Sequence, residues 1–326
     1  MKPWSFAVLS LLGMVTAGST WAQAPAAYPS RPVMLVVPFV PGGPTDTEPR
    51  PYLAKLQESM GQPFVFDFKP GAGTTIGVGY VAKAVPDGHT LLLTSAGVTV
   101  FPNFYPNLPF EVTKDLAPIT QLSERPTVLL ISPAALPNVH SIAELTAFGK
   151  ANPGSLRCGT SGAGSIIHIV CASLSSAMGV PITAVHYKGV AQGQVDLIAG
   201  RIQLSQGTVY NALSQIKAGK LRAIASLDRQ RTRYLPDVST ALEQAVDVEF
   251  PNWLGVFAPG ATPAPIVNRL NAEFVRIIRD PDNMRNLEKI GIIGVGNTPG
   301  AFQAKIVSET ARWRRVIQEK GIKIEE

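Results

Sequence analysis

Val33-Met34-Leu35-Val36-Val37-Pro38-Phe39-Val40-Pro41-Gly42-Gly43-Pro44-Thr45-Asp46 is the stretch from which the fold is read. Its first five residues are apolar and rich in β-branched side chains, so they predict a strand covered on both faces. The glycine and proline turn then leads into a helix, because Tyr52, Leu53, Leu56 and Met60 recur at helical spacing before Gly61. Pro49 and Pro51 remove two backbone donors near that helix start and must fall within its first turn or just beyond. Strand, turn and helix form the unit of an α/β sheet, whose ligands sit where strands end and helices begin.

The alternation continues along the chain. Strands are predicted at 64–68, 90–93, 127–132, 156–159, 184–187, 202–205 and 221–226. Helices are predicted at 76–84, 142–151, 166–178, 265–279, 281–290 and 298–320. The 326 residues suit about two domains, and no Gly/Ser linker separates them. With 45% hydrophobic and 16% charged residues, the composition excludes disorder, collagen and coiled coil. The net charge of +6 is scattered apart from Arg312, Arg314 and Arg315, which argues against a nucleic-acid-binding stripe. Four histidines and two cysteines are too few and too dispersed for a Cys/His metal site.

The N-terminus has the three parts of a secretory signal: Lys2, an apolar run at 6–15, and small residues at 17–24. Cleavage is expected after Ala22, with Thr20 at the third position back; cleavage after Ala24 would place Pro25 next. The run is shorter than the about 20 apolar residues a membrane span needs. The uncharged stretch 166–184 holds His168, Ser173, Ser175, Ser176 and Pro181, and reads as a buried helix and turn. Export favours pairing of Cys158 and Cys171. Pairing requires their α-carbons within about 7 Å, which a helix folded back over its strand allows.

Two turns could carry chemistry. Pro41-Gly42-Gly43-Pro44-Thr45-Asp46 and Gly159-Thr160-Ser161-Gly162-Ala163-Gly164-Ser165 each lie between a strand and a helix. Glycines let a ligand approach the backbone, and free N–H groups at a helix start attract an anion. The plainer reading of the first is a tight turn with Asp46 as helix cap. Neither has the ending of a phosphate-binding P-loop or the dinucleotide spacing. Ser161 lies outside any Gly-x-Ser-x-Gly elbow, and His168, flanked by Ile167 and Ile169, reads as a core or pocket histidine rather than a base.

Beyond these turns, the chain resembles the Bug (TctC-like) solute-binding proteins of tripartite tricarboxylate transporters. The matching segments are Tyr28-Pro29-Ser30-Arg31-Pro32, Val37-Pro38-Phe39 with Gly42-Gly43 and Thr45-Asp46, Pro70-Gly71-Ala72-Gly73 and Pro86-Asp87-Gly88-His89-Thr90. Lys114-Asp115-Leu116-Ala117-Pro118, Tyr187-Lys188-Gly189, Ala218-Gly219-Lys220-Leu221, Leu235-Pro236-Asp237-Val238, Gly255-Val256-Phe257-Ala258-Pro259 and Leu270-Asn271 follow in order. The resemblance implies an α/β fold of the type II periplasmic-binding-protein class. Its lobes are expected at 28–126 plus 252–326 and at 127–251, with 127–132 and 248–250 as the strands that cross the hinge.

It also implies no catalysis, no cofactor, and a carboxylate in the cleft. Lobe one would offer Phe39, Gly42, Gly43, Thr45, Asp46, Ser95 and Ala96. Lobe two would offer Ser161, Gly162, Ala163, Ser165, His168, Tyr187 and Gly207. The partners implied are membrane permease subunits, the compartment is the periplasm, and a monomer is expected. Two departures bear on the ligand: Ile166 and Ile167 stand where the family has Ser-Thr, and Gly207 stands where it has Asp. They point to a less polar far side with added room, and so to a dicarboxylate with an apolar or aromatic spacer, such as adipate or terephthalate. A ligand-loaded partner of a sensor kinase is the alternative, and a secreted α/β hydrolase built on Ser161 and His168 a remoter one.

Overall fold

The computed structural model describes residues 28–103, 107–162, 165–187 and 190–319. The signal segment expected at 1–22, and Ala163 of the expected site, lie outside the described residues. In chain order the strands are β1 (Val33–Val37), β2 (Phe64–Phe68), β3 (Thr90–Ser95), β4 (Leu116–Glu124), β5 (Thr127–Ile131) and β6 (Arg157–Thr160). They continue with β7 (Thr183–His186), β8 (Leu204–Thr208), β9 (Arg222–Ser226), β10 (Trp253–Pro259) and β11 (Ile293–Gly294). The helices are α1 (Pro44–Thr47), α2 (Arg50–Met60), α3 (Thr75–Ala82), α4 (Val112–Asp115), α5 (Ile142–Ala151) and α6 (Ile166–Met178). After them come α7 (Val190–Ile198), α8 (Val209–Lys217), α9 (Ala264–Ile278), α10 (Pro281–Lys289) and α11 (Pro299–Glu319).

These elements build two lobes around two sheets, ordered β11-β4-β10-β3-β1-β2 and β7-β6-β8-β5-β9. β1 lies parallel between β2 and β3, buried along nearly its whole length, as its uninterrupted apolar run requires. β5 is buried at all five residues, between antiparallel β8 and β9. Pro49 and Pro51 divide the predicted helix: Pro49 caps α2, Pro51 occupies its first turn, and the short α1 stands apart.

Beyond α4, α7, α8 and β11, for which no element was predicted, three strand segments depart from the expectation. β4 contains Pro118, which interrupts a strand pattern; it sits where the β4–β10 register shifts, so the missing donor is tolerated at a bulge. β10 contains Gly255, whose vacant side-chain space is filled by the Phe302 ring. Residues 248–250, expected as a hinge strand, join no ladder. Phe250 instead donates its N–H to Leu227 O (2.7 Å) and accepts from Thr127 Oγ1 (2.9 Å), and pairing resumes at Trp253.

α11 serves both lobes. Phe302 and Ile306 near its start pack in a core with Val36, Leu92 and Phe257 of the first sheet. Trp313 and Ile317 near its end pack in the core of the second, with Leu129, Ile131 and Leu174.

Candidate functional site

The first glycine turn follows β1. Gly42 has φ +88°, a left-handed conformation that disfavours a side chain. Its N–H donates to Asp46 Oδ2 at 2.8 Å, while Asp46 N–H and Thr47 N–H both donate to Gly43 O at 3.0 Å. Asp46 is buried and pairs with Arg50 at 2.6 Å. Burial opposes its charge, but the Arg50 hydrogen bond, the Gly42 N–H and the Arg50 charge outweigh it and hold the carboxyl below its ordinary range. Asp46 thus closes the turn on itself, and Thr45 is buried beside it. Glu48, one turn on, accepts from Arg125 (Nε 2.8 Å, Nη2 2.6 Å) and from Ser123 Oγ, which moors the turn to the strand leaving lobe one.

Phe39 packs against the lobe-one core. At the end of β3, Ser95 is half-buried, but the Ala96 methyl is in the core with Val36 and Val98. Ala96 can therefore offer only its backbone to a ligand.

The second turn follows β6. Gly162, at φ +123°, donates its N–H to Thr160 Oγ1 at 3.3 Å and accepts from Ser165 N–H at 3.2 Å. Ser165 caps α6, its hydroxyl accepting from His168 N–H at 3.3 Å. Thr160 Oγ1 also lies 2.7 Å from His186 Nδ1, and the His168 and His186 rings meet edge to face at 4.8 Å. His186 went unnoticed in the sequence. Its signal is one of pairing: β7 runs parallel to β6 with His186 opposite Thr160. Cys158 and Cys171 form a disulfide with α-carbons 6.1 Å apart, bracketing this turn.

The residues expected on the far side are placed as follows. Ile167 is buried in the lobe-two core and Ile166 packs against that core. The Ser165 cap sets the phase of α6 and turns these residues toward the sheet. At Gly207 a β-carbon would meet Leu130 Cδ1 at 2.5 Å, and the glycine lines a small pocket together with Val190, Gln194 and Ser205. Tyr187 lays its ring over Gly159 and Gly193 and donates its hydroxyl to Asp196 Oδ2 at 2.8 Å, so that group is already engaged on α7.

No group of three or more His, Cys, Asp or Glu side chains able to hold a metal occurs among the described residues. No described helix is long and apolar enough to cross a membrane. What the two turns share is backbone N–H groups and hydroxyls at the ends of parallel strands, with imidazoles at the second. This arrangement suits a carboxylate.

Comparison with known proteins gives the same picture. The family model described as "Tripartite tricarboxylate transporter family receptor" matches residues 50–322. A Pseudomonas sp. (strain P51) protein, "UPF0065 protein in tcbD-tcbE intergenic region", is 38% identical over 94% of this chain and 91% of its own. Among solved structures, R. palustris Rpa4515 with adipate superposes with a TM-score of 0.80 at 32% identity, covering 91% of this chain and 99% of that one. MatC (Rpa3494) from Rhodopseudomonas palustris with bound malate gives 0.77 at 30%, covering 89% and 100%.

Proposed function

The chain belongs to the tripartite tricarboxylate transporter receptor family, whose members are solute-binding receptors and not enzymes, and from that premise we propose that it captures an organic dicarboxylate between its two glycine turns. It works in the periplasm as a monomer and passes its cargo to the membrane permease subunits of the transporter. The observation that carries this reading is the pair of turns, Gly42-Gly43 and Ser161-Gly162, each at a strand end and each closed by its own side-chain acceptor. One carboxylate of the ligand is held there by N–H groups and by the hydroxyls of Ser161 and Ser165, with His168 and His186 alongside.

For the body between the carboxylates we favour an apolar spacer of the adipate or terephthalate kind. Ile167 gives this no support, because it is buried in the lobe-two core, against which Ile166 is packed. The support for the spacer is the exposed apolar surface beside the turns: Val40 is 66% exposed two residues before Gly42, and Val190 is 40% exposed three residues after Tyr187. The adipate complex of a 32%-identical relative supports it too. Calorimetry with adipate, terephthalate, malate, citrate and glutamate tests the reading. Saturable heat is expected from adipate or terephthalate. Tight citrate or glutamate binding with no heat from those two would overturn the spacer, and silence from all five would overturn the carboxylate assignment.

A further inference from the structure

The strand orders of the two sheets put one group of contacts behind the hinge. The chain crosses between lobes from β4 to β5 and again where it enters β10. In the first sheet β1, which carries the first glycine turn, lies to one side of β4 and β10, and β11 lies at the opposite edge. In the second sheet β6, which carries the other turn, lies to one side of β5, and β9 lies at the opposite edge. A rotation that brings the two turns together therefore carries the β9 and β11 edges apart.

Those edges touch. Arg233, in the segment after β9, places Nη1 2.8 Å from Glu288 Oε1 on α10, just before β11. Its neighbour Tyr234 donates its hydroxyl to Ile292 O at 3.4 Å. Arg233 Nη2 also donates to the Tyr234 hydroxyl at 3.3 Å, with the guanidinium 5.2 Å from the centre of that ring, so each side chain orients the other. Both ends are seated in their own lobes: Tyr234 packs against a lobe-two core that holds Leu130 and Val209, and Ile292 is buried. Gly291 lies so near the start of α8 that a β-carbon on it would stand 3.5 Å from Tyr210 N.

We propose that Arg233 and Tyr234 with Glu288 and Ile292 form a latch that favours the open cleft and parts when the cleft closes on its ligand. Contacts made in only one arrangement shift the balance between two arrangements by their own free energy. The Arg233–Glu288 pair is about half exposed at both ends, 53% and 51%, so its share is modest, about fivefold in that balance or less. Such a device trims affinity, because the closed fraction scales the apparent dissociation constant directly. The latch is a property of the two-lobed frame, and only its effect on affinity rests on the dicarboxylate reading of the cleft.

Charge reversal tests it, since both side chains are exposed enough for the fold to tolerate the change. Arg233→Glu and Glu288→Arg each set like charges across the latch. Each should shrink the ligand-free radius of gyration in small-angle X-ray scattering. Each should also tighten, by about threefold in calorimetry, whichever of adipate, terephthalate, malate, citrate and glutamate the native protein takes. Arg233→Glu combined with Glu288→Arg should return both readings to native, which local damage would not do. A radius that neither single variant shrinks, an affinity that either leaves unchanged or loosens, or a double variant that adds the two single effects would each overturn the latch. Silence of the native protein toward all five acids overturns the cleft reading instead, and the scattering of the three variants then decides the latch.

Discussion

Asp46 and Arg50 stand one helical turn apart with 2.6 Å between carboxylate and guanidinium, while the same carboxylate accepts the Gly42 N–H. A residue that would repel an anionic ligand is thereby committed to shaping the first glycine turn. Asp46→Asn keeps an acceptor for Gly42 and should bind ligand close to natively. Asp46→Ala should lower stability by about 1–3 kcal/mol in urea unfolding and weaken binding as well. The carboxyl is held below its unfolded value, so its contribution is present above about pH 4 and is lost as pH falls through the folded value. The acid limb of the unfolding curve should flatten in the alanine variant.

Gly43 and Gly162 answer differently to a side chain. A β-carbon on Gly43 meets nothing nearer than Val40 O at 3.9 Å, whereas Gly162 has a φ that strains any side chain. Gly43→Val should fold with near-native melting temperature, and Gly162→Val should melt lower. Both should weaken carboxylate binding about tenfold or more, because a branched side chain holds the carboxylate away from the backbone N–H groups of the turn, at the cost of about one to two hydrogen bonds. Native affinity in both variants, measured by calorimetry, would take the turns out of the site.

The bridge between Cys158 and Cys171 encloses a short loop, 13 residues apart in sequence, that carries the second turn. Replacing both with alanine should cost about 3 kcal/mol by loop entropy. Ligand affinity should fall with it, because Ser161, Gly162 and Ser165 lose their tether. Thermal melts with and without reductant, at saturating and zero ligand, check both effects.

Asp228 and Glu309 make the opposite acid–base prediction. Their folded values are raised to about 7 by burial, so between about pH 4 and pH 7 the unfolded chain ionises first and stability falls as pH rises. Glu309→Gln preserves an acceptor for Trp253 Nε1, 2.9 Å away. It should reduce that slope and melt higher than the native protein at pH 8. An unchanged slope in Glu309→Gln and Asp228→Asn together would contradict the burial account.

What could be read from the chain alone was backbone more than side-chain direction. β1 and β5 announce themselves because β-branched and other apolar residues fill them almost throughout, and β2 because phenylalanine recurs at every second position. β4 does not, since Thr120, Gln121 and Ser123 look like loop residues. They are buried because partners satisfy them: Asn297 Oδ1 accepts from Gln121 N–H at 2.8 Å, Thr120 Oγ1 donates to Asn297 O at 2.9 Å, and Ser123 Oγ donates to Glu48. The glycine turns were legible because backbone conformation limits the residue there. His186 was not, because its place beside Thr160 arises from a strand pairing across 26 residues. The orientation of Ile166 and Ile167 was hidden for a related reason. A mostly apolar helix shows no polar stripe to mark its outer face, and its rotation is fixed by contacts remote in sequence from these two residues, the Cys158–Cys171 bridge and the core packing of Val170 and Leu174.

α11 has a mechanical meaning beyond packing. Its 21 residues make a rod about 30 Å long, seated at Phe302 in one lobe and at Trp313 and Ile317 in the other. The rod therefore ties the two cores directly to each other, so any change in the angle between the sheets has to be taken up at Phe302, at Trp313 and Ile317, or in the helix itself.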